Sequence, residues 1–252
     1  MIRMTLFEIR LVLFLVALVA SFQLLAEEQA APFSEAETLL WLTDQLKSIR
    51  QPAKFTYEFT RTGTFEPGFS DTVQFLVNAI KDDGMKSATL EFFTGPRRFE
   101  VPAAQSTNVN PVLKIYLQGD VYEMNRLTDS EGKSKQRWRY FQRRIKFSLA
   151  ESAQVEKVTV SFNGQDYAGH KVSFLPYLND EKLNDPSLSD ESTWLLFQRL
   201  TQKRYSVIIA GELPGYLYEI KTLVPGGAAG SEPLVQEVLR LVSMDVTAPT
   251  GM

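Results

Sequence analysis

Residues 55–60, Phe-Thr-Tyr-Glu-Phe-Thr, decide the fold because aromatic and polar side chains alternate along them. A period of two places Phe55, Tyr57 and Phe59 on one face of a β-strand and the polar residues on the other. A strand of this kind buries one face and leaves the other in water, which is typical of an antiparallel sheet. We therefore expect the chain to build a half-buried sheet outward from this stretch.

Further strands are predicted on both sides of turn-forming residues. Glycine, asparagine, aspartate and proline separate the apolar runs at short intervals, as in hairpins and meanders. In the first half, strands are predicted over residues 71–81, 85–93, 112–117, 121–127 and 136–149. In the second half, they are predicted over residues 157–162, 170–174, 205–209, 216–224 and 234–246. The last segment also fits a helix, but a strand is favoured because a hairpin-like loop precedes it.

Two helices are expected beside the strands. Ser34 and Glu37 form a capping box, and leucine and isoleucine then recur at spacings of three and four until Pro52. A helix is therefore predicted over residues 34–50, and a second, short helix over residues 193–203. Many strands without long helices between them predict an α+β fold. The expected architecture is an antiparallel β-rich half-barrel or strongly curved sheet, covered by the N-terminal helix and the second short helix.

The composition restricts the chemistry that the protein can perform. The chain has 252 residues, no cysteine and one histidine. Disulfides, thiol nucleophiles and thiolate metal sites are excluded, and one imidazole leaves little room for a multi-histidine metal site. His170 lies on a predicted strand without a nucleophile motif and is interpreted as structural. No enzyme activity, metal or cofactor is predicted, and a carboxylate-based hydrolase has no support because the acidic residues are scattered in turns.

The first residues have the pattern of an export signal. Arg3 and Arg10 provide a positive segment, residues 11–20 are apolar, and the small Ala26 suits a cleavage site. We expect residues 1–26 to be a cleaved signal peptide and residues 27–252 to be a single exported domain in the periplasm. The alternative is an uncleaved anchor in the inner membrane, with the domain facing the periplasm. Export also argues against a nucleic-acid partner.

A run of basic residues between positions 133 and 146 contrasts with the formal net charge of −3 of the whole chain. No acidic residue interrupts it, and aromatic residues lie within it. One interpretation is contact with an anionic membrane surface or an anionic partner. The alternative is a solvated sheet face whose cations pair with acids on neighbouring strands. The candidate contact residues are Lys135, Arg137, Arg139, Arg143, Arg144 and Lys146.

Large apolar residues on the predicted strands and on the first helix either fill a solid core or line a cavity for an acyl chain. If there is a cavity, the apolar stripe of the first helix would close it as a lid. The candidate cavity and lid residues are Leu39, Leu42, Leu46, Ile49, Phe55, Tyr57, Phe59 and Phe75.

The order of these elements resembles the periplasmic lipoprotein carriers of the Lol type. The resemblance lies in an export signal, a capped helix at residues 34–50 and a series of strands over residues 55–149, and it extends over residues 34–246. In that family, an unclosed β-barrel covered by helices holds acyl chains in an apolar cavity. The resemblance implies a non-enzymatic carrier or binding protein for a lipid or lipidated partner of the cell envelope, and it assigns no individual residue.

A second hypothesis belongs to a different class. The chain would then be a structural or interaction module of the envelope, with a filled core. Its basic strand would dock an anionic partner.

Overall fold

A computed structural model of the chain describes residues 33–128, 137–183, 191–227 and 230–246. The predicted signal peptide at residues 1–26 lies outside these ranges. Within them, no helix is long and apolar enough to span a membrane.

Ten antiparallel strands form one sheet. Their order across the sheet is β4-β3-β2-β1-β10-β9-β8-β7-β6, and β5 pairs with β3. The strands are β1 Ala53–Thr62, β2 Phe69–Ile80, β3 Lys86–Phe92, β4 Phe99–Glu100, β5 Ala104–Thr107, β6 Gln154–Phe162, β7 Gln165–Phe174, β8 Arg204–Ala210, β9 Leu217–Val224 and β10 Val235–Val246. Over the described residues the sheet is not closed into a barrel, so the predicted class of an antiparallel β-rich α+β fold is confirmed.

The first strand lies at the centre of the sheet, between β2 and β10. Phe55 is opposite Phe75 of β2, and the two rings stack with centroids 5.5 Å apart. Tyr57 is opposite Val73 on one side and Leu241 on the other. These inward residues are buried, which confirms the alternation read from residues 55–60.

In the described part of the chain, four helices and a short 3-10 helix at Gly95–Arg97 accompany the sheet. Helix α1 covers Glu35–Glu37 and continues as a π-helix over Thr38–Leu42, and the other helices are α2 Pro111–Thr128, α3 Trp138–Glu151 and α4 Glu191–Leu200. The predicted capping box is present, because the Ser34 amide donates to the Glu37 carboxylate and the Glu37 amide donates to Ser34 Oγ, both at 3.1 Å.

The first helix is shorter than predicted. It ends at Leu42 and does not continue to Pro52, because the backbone of Thr43 is extended. The side chain of Gln45 then forms the next hydrogen bonds. The Gln45 side chain donates to the Leu40 carbonyl at 2.8 Å and accepts from the Asn110 amide at 2.9 Å. The segment after Leu42 is thus bonded to the residues before α2 rather than to another helical turn.

The predictions of a hairpin over residues 112–127 and of a strand over residues 136–149 are wrong, because Pro111–Thr128 and Trp138–Glu151 are helices. In α2, buried residues recur at helical spacing, and they include Val112, Leu113, Tyr116, Leu117, Asp120, Val121 and Met124. In α3, the buried positions are Phe141, Ile145, Ser148 and Leu149. Both segments also contain alternating apolar residues, so packing onto the sheet rather than local pattern selects the helix.

Candidate functional site

An aromatic pocket opens between α2 and the end of the sheet that carries β4. Its volume is about 170 Å³. Five phenylalanine rings line one side: Phe59, Phe69, Phe92, Phe93 and Phe99. Helix α2 provides the other side through Ile115, Tyr116, Gly119, Asp120 and Glu123, and Arg61 and Glu237 complete the lining.

Strand register and one unusual backbone angle bring the rings together. Phe92 of β3 is opposite Phe99 of β4, and their centroids are 4.8 Å apart. Phe93 follows Phe92 directly, and in a regular strand its side chain would point to the other face. Phe93 instead has φ of 65°, and its ring lies 4.8 Å from that of Phe92 and 4.9 Å from that of Phe59. A left-handed conformation is costly for an aromatic residue, and such strain often accompanies functional sites.

Gly119 leaves the α2 side of the pocket open. A Cβ atom built on Gly119 would meet no atom within 4 Å. Glycine lowers the stability of a helix interior by about 1 kcal/mol relative to alanine. The chain therefore has a weaker helix at a position that lines the pocket.

A network of charges lies beside the rings. Arg61 contacts Glu66 at 3.0 Å, Glu123 at 3.2 Å and Glu237 at 3.6 Å. Arg126 contacts Glu66 at 2.9 Å and Glu123 at 2.7 Å. Burial alone would raise the pKa of Glu123, but the hydrogen bonds and charges of the two arginines outweigh it and hold that pKa below its usual range.

Helix α2 is held over the sheet by buried polar bonds. The Asp120 carboxylate accepts from the Lys203 ammonium group and from the Tyr205 hydroxyl of β8. Tyr116 donates to Glu237 of β10 at 2.9 Å. Burial, reinforced by the charge of Asp120, raises the pKa of Tyr205 well above its usual value, so this hydroxyl stays a donor.

A second anchor precedes α2. The Asn110 side chain donates to the Tyr57 hydroxyl at 3.0 Å and to the Gly215 carbonyl at 2.8 Å. Burial raises the pKa of Tyr57 far above its usual value, although the hydrogen bond from Asn110 lowers it. The residues leading into α2 are thus bonded to β1 and to the turn before β9.

Most of the predicted cavity residues lie in the buried core rather than along the aromatic pocket. Only Phe59 lines the aromatic pocket. Phe55, Tyr57 and Phe75 are fully buried in the core under the sheet, together with Leu46 and Ile49 of the segment after α1. Leu39 is half-buried, whereas Leu42 is exposed.

Arg139, Arg143, Arg144 and Lys146 lie on helix α3 rather than on a strand, and Arg137 directly precedes it. Lys135 lies outside the described residues. Arg137 donates to the Thr128 carbonyl at the end of α2. Arg144 donates to the Pro176 carbonyl at 3.0 Å and pairs with Asp180 at 3.1 Å. Arg139, Arg143 and Lys146 remain, and they are exposed.

His170, interpreted as structural from the sequence, lies on a strand of the sheet. It is half-buried on β7, between Lys157 of β6 and Ile209 of β8 in the strand register. Over the described ranges, no group of three or more histidine, aspartate or glutamate residues could hold a metal ion.

Sequence reasoning missed most of the aromatic pocket. The sequence does not single out Phe69 and Phe99, and it predicts two strands where α2 lies. The pair Phe92-Phe93 was a usable signal, since two adjacent rings at a strand end cannot both face one side of a regular strand. A second usable signal was the spacing of Val112, Tyr116 and Met124, which places them on one side of a helix.

Comparison with known proteins gives similarity to solved structures alone. No family model and no curated protein matches the sequence. Lipoprotein LppX of Mycobacterium tuberculosis is 10% identical, with a TM-score of 0.31, over 86% of this chain and 100% of that chain. The MucA/MucB complex of Pseudomonas aeruginosa gives 11% identity and a TM-score of 0.34, over 86% of this chain and 59% of that chain.

A LolA superfamily protein of Nitrosomonas europaea gives 9% identity and a TM-score of 0.21, over 84% of this chain and 94% of that chain. That superfamily is the one which the order of elements in this sequence resembles. At such identities and TM-scores, none of the three similarities supports a function for this chain. A function for this chain therefore rests on its own residue contacts.

Proposed function

We propose that this protein is a non-enzymatic binding or carrier protein of the periplasm. In this proposal it holds an apolar group of a lipid or lipidated partner in the aromatic pocket. The observation that carries the proposal is a cavity of about 170 Å³ with five phenylalanine rings on one side and Gly119 on the other. Residues 27–252 would form the exported domain after removal of a signal peptide at residues 1–26.

The size of the pocket defines the part of a ligand that fits. Apolar cavities of about 150 Å³ bind benzene, whereas pockets for whole drug-sized ligands have volumes of about 300–1,000 Å³. The aromatic pocket therefore matches the end of an acyl chain or a single ring rather than a complete lipid. The remainder of the ligand would lie outside the mouth, beside the charges of Arg61 and Glu123.

The expected affinity is low, as a carrier that must release its ligand requires. Burial of an apolar group contributes about 0.8 kcal/mol per methylene, so about five methylenes would give about 4 kcal/mol. That free energy corresponds to a dissociation constant of about 1 mM. Tighter binding requires contacts along the rest of the chain of the ligand.

Substitution of Gly119 tests the proposal because the position is open to the pocket and free of steric conflict. The probe is a fatty acid with a fluorophore that brightens in apolar surroundings. We expect Gly119→Phe to fill the pocket and remove saturable probe binding, while the protein keeps a cooperative melting transition. Gly119→Leu serves the same purpose with a smaller side chain.

The matched control is Gly119→Ala, which adds one methyl group and leaves most of the volume free. It should bind the probe and raise the free energy of unfolding by about 0.5–1 kcal/mol. Unchanged probe binding by folded Gly119→Phe and Gly119→Leu proteins would show that the pocket is not the binding site. Mass spectrometry of lipid extracted from the purified protein then identifies the natural ligand.

A further inference from the structure

The outward face of α3 carries three basic side chains, and the first acidic residue of this helix is Glu151, its last residue. Arg139, Arg143 and Lys146 follow one another at spacings of four and three, so they share one side of the helix in a row roughly 10 Å long. All three are exposed, and none forms an ion pair with another described residue. No acidic residue occurs between positions 138 and 150, although the chain has a net charge of −3.

Two exposed apolar side chains adjoin this row of cations, at the rim of a pocket of mixed polarity. Phe147 comes directly after Lys146, and its side chain is 50% exposed. Leu178, in the turn after β7, is 49% exposed. Both line a surface pocket of about 340 Å³, whose other lining residues are the apolar Leu175 and Pro176 and the polar Arg144, Ser148, Glu151, Ser152 and Gln154. Large apolar side chains thus protrude beside the positive charges rather than on a separate face.

We propose that the outward face of α3, together with Leu178, docks this protein on the surface of an anionic lipid bilayer. Arg139, Arg143 and Lys146 contact headgroup phosphates, and Phe147 and Leu178 enter the boundary between headgroups and acyl chains. Helices that lie in a membrane interface combine basic and apolar side chains in this way. The docking face shares no residue with the aromatic pocket, so it stands or fails independently of the proposed ligand site.

The partner is a bilayer rather than an acidic protein, because a bilayer can contact both the basic and the apolar side chains of this face. A hydrated acidic segment would neutralise the cations but would leave Phe147 and Leu178 in water. A bilayer supplies phosphate groups and acyl chains within a few ångströms of each other. Arg144 is not part of the electrostatic contact, because it is bound to Pro176 and Asp180.

The inference is tested by sedimentation with vesicles. The protein is purified as the cell processes it, so that every variant has the same N-terminal segment. Vesicles contain phosphatidylcholine alone or phosphatidylcholine mixed with phosphatidylglycerol. We expect binding to the mixed vesicles, and we expect Arg139→Gln/Arg143→Gln/Lys146→Gln to weaken it about 100-fold.

A second variant tests the apolar contribution. Phe147→Ser/Leu178→Ser keeps all the charges and should weaken binding to the mixed vesicles by at least about tenfold. The control Lys81→Gln/Lys157→Gln/Arg204→Gln removes the same charge from three exposed residues on separate elements. It should stay within about threefold of the unmutated protein at 0.1 M salt, where distant charges are screened. All variants should keep the melting temperature and the probe binding of the unmutated protein.

Several results would overturn the inference. The inference fails if Arg139→Gln/Arg143→Gln/Lys146→Gln, the α3 variant, binds mixed vesicles as tightly as the unmutated protein. It also fails if the control variant loses as much affinity as the α3 variant. Equal binding to uncharged vesicles would show that the basic residues of α3 do not contribute to docking. A change in self-association of the α3 variant without vesicles would identify a second copy of the chain as the partner.

Discussion

The buried ion pair between Asp120 and Lys203 should be the strongest single attachment of α2 to the sheet. The Asp120 side chain is 2% exposed and that of Lys203 is 4% exposed, so neither charge is solvated by water. Asp120→Asn keeps the shape of the side chain and an oxygen that can accept from Tyr205. It removes only the negative charge and leaves the Lys203 ammonium group buried without a counterion.

The expected loss in the free energy of unfolding is about 3–5 kcal/mol, which is the cost of breaking a buried pair by removing one partner. Folded domains have total stabilities of about 5–15 kcal/mol, so the loss is a large fraction of the total. Urea unfolding followed by circular dichroism measures it. The double variant Asp120→Asn/Lys203→Met carries neither charge and should recover most of the loss.

Two results would refute this reasoning. A loss below about 1 kcal/mol in Asp120→Asn would be typical of an exposed pair, not of a buried one. A double variant no more stable than the single variant would show that the loss arises from packing or from the Tyr205 hydrogen bond rather than from an unpaired charge. If the prediction holds, α2 is a fixed cover, and ligands enter beside it rather than by lifting it.

Three further predictions concern stability. Leu46→Ala should cost about 2–5 kcal/mol in urea unfolding, because Leu46 is fully buried, and a cost below about 1 kcal/mol would indicate a loosely packed lid. Arg144→Gln should lower the free energy of unfolding by about 1–3 kcal/mol, because the side chain of Asp180, 1% exposed, loses its cation. The neighbouring Arg143→Gln should change it by less than about 0.5 kcal/mol. Equal effects would show that the pair of Arg144 with Asp180 does not stabilise the fold. The lowered pKa of Glu123 contributes stability above about pH 4.3, and this stability is lost as the pH falls through the folded-state pKa. Glu123→Gln should therefore lose less free energy of unfolding on acidification than the unmutated protein. An equal dependence of the free energy of unfolding on pH in the two proteins would contradict this prediction.

The sequence by itself determined most of the sheet. Alternation at Phe55, Tyr57 and Phe59 specifies which face of β1 is buried, and a one-residue slip would expose all three rings. Turn residues such as Asn163-Gly164 then fix where neighbouring strands begin. The capping box at Ser34 and Glu37 was equally readable, because both of its hydrogen bonds join residues three positions apart.

Only the tertiary structure decided the two long helices and the candidate sites. Residues 112–127 and 136–149 satisfy both a two-residue and a helical period in part, and the choice depends on burial against strands far away in the sequence. The helical conformation of the second segment also changes which basic residues share a face. On a strand, Arg137, Arg139 and Arg143 would share a face, whereas on helix α3 the exposed face is formed by Arg139, Arg143 and Lys146.

The aromatic pocket depends on tertiary structure for the same reason. The register of the strands brings Phe92 opposite Phe99. The other side of the pocket depends on how α2 packs on the sheet, because Gly119 of α2 lines it. Alternation and capping act between near neighbours and are therefore visible in the sequence. A cavity is a gap between distant segments, and its position is decided only when the sheet and helices pack together.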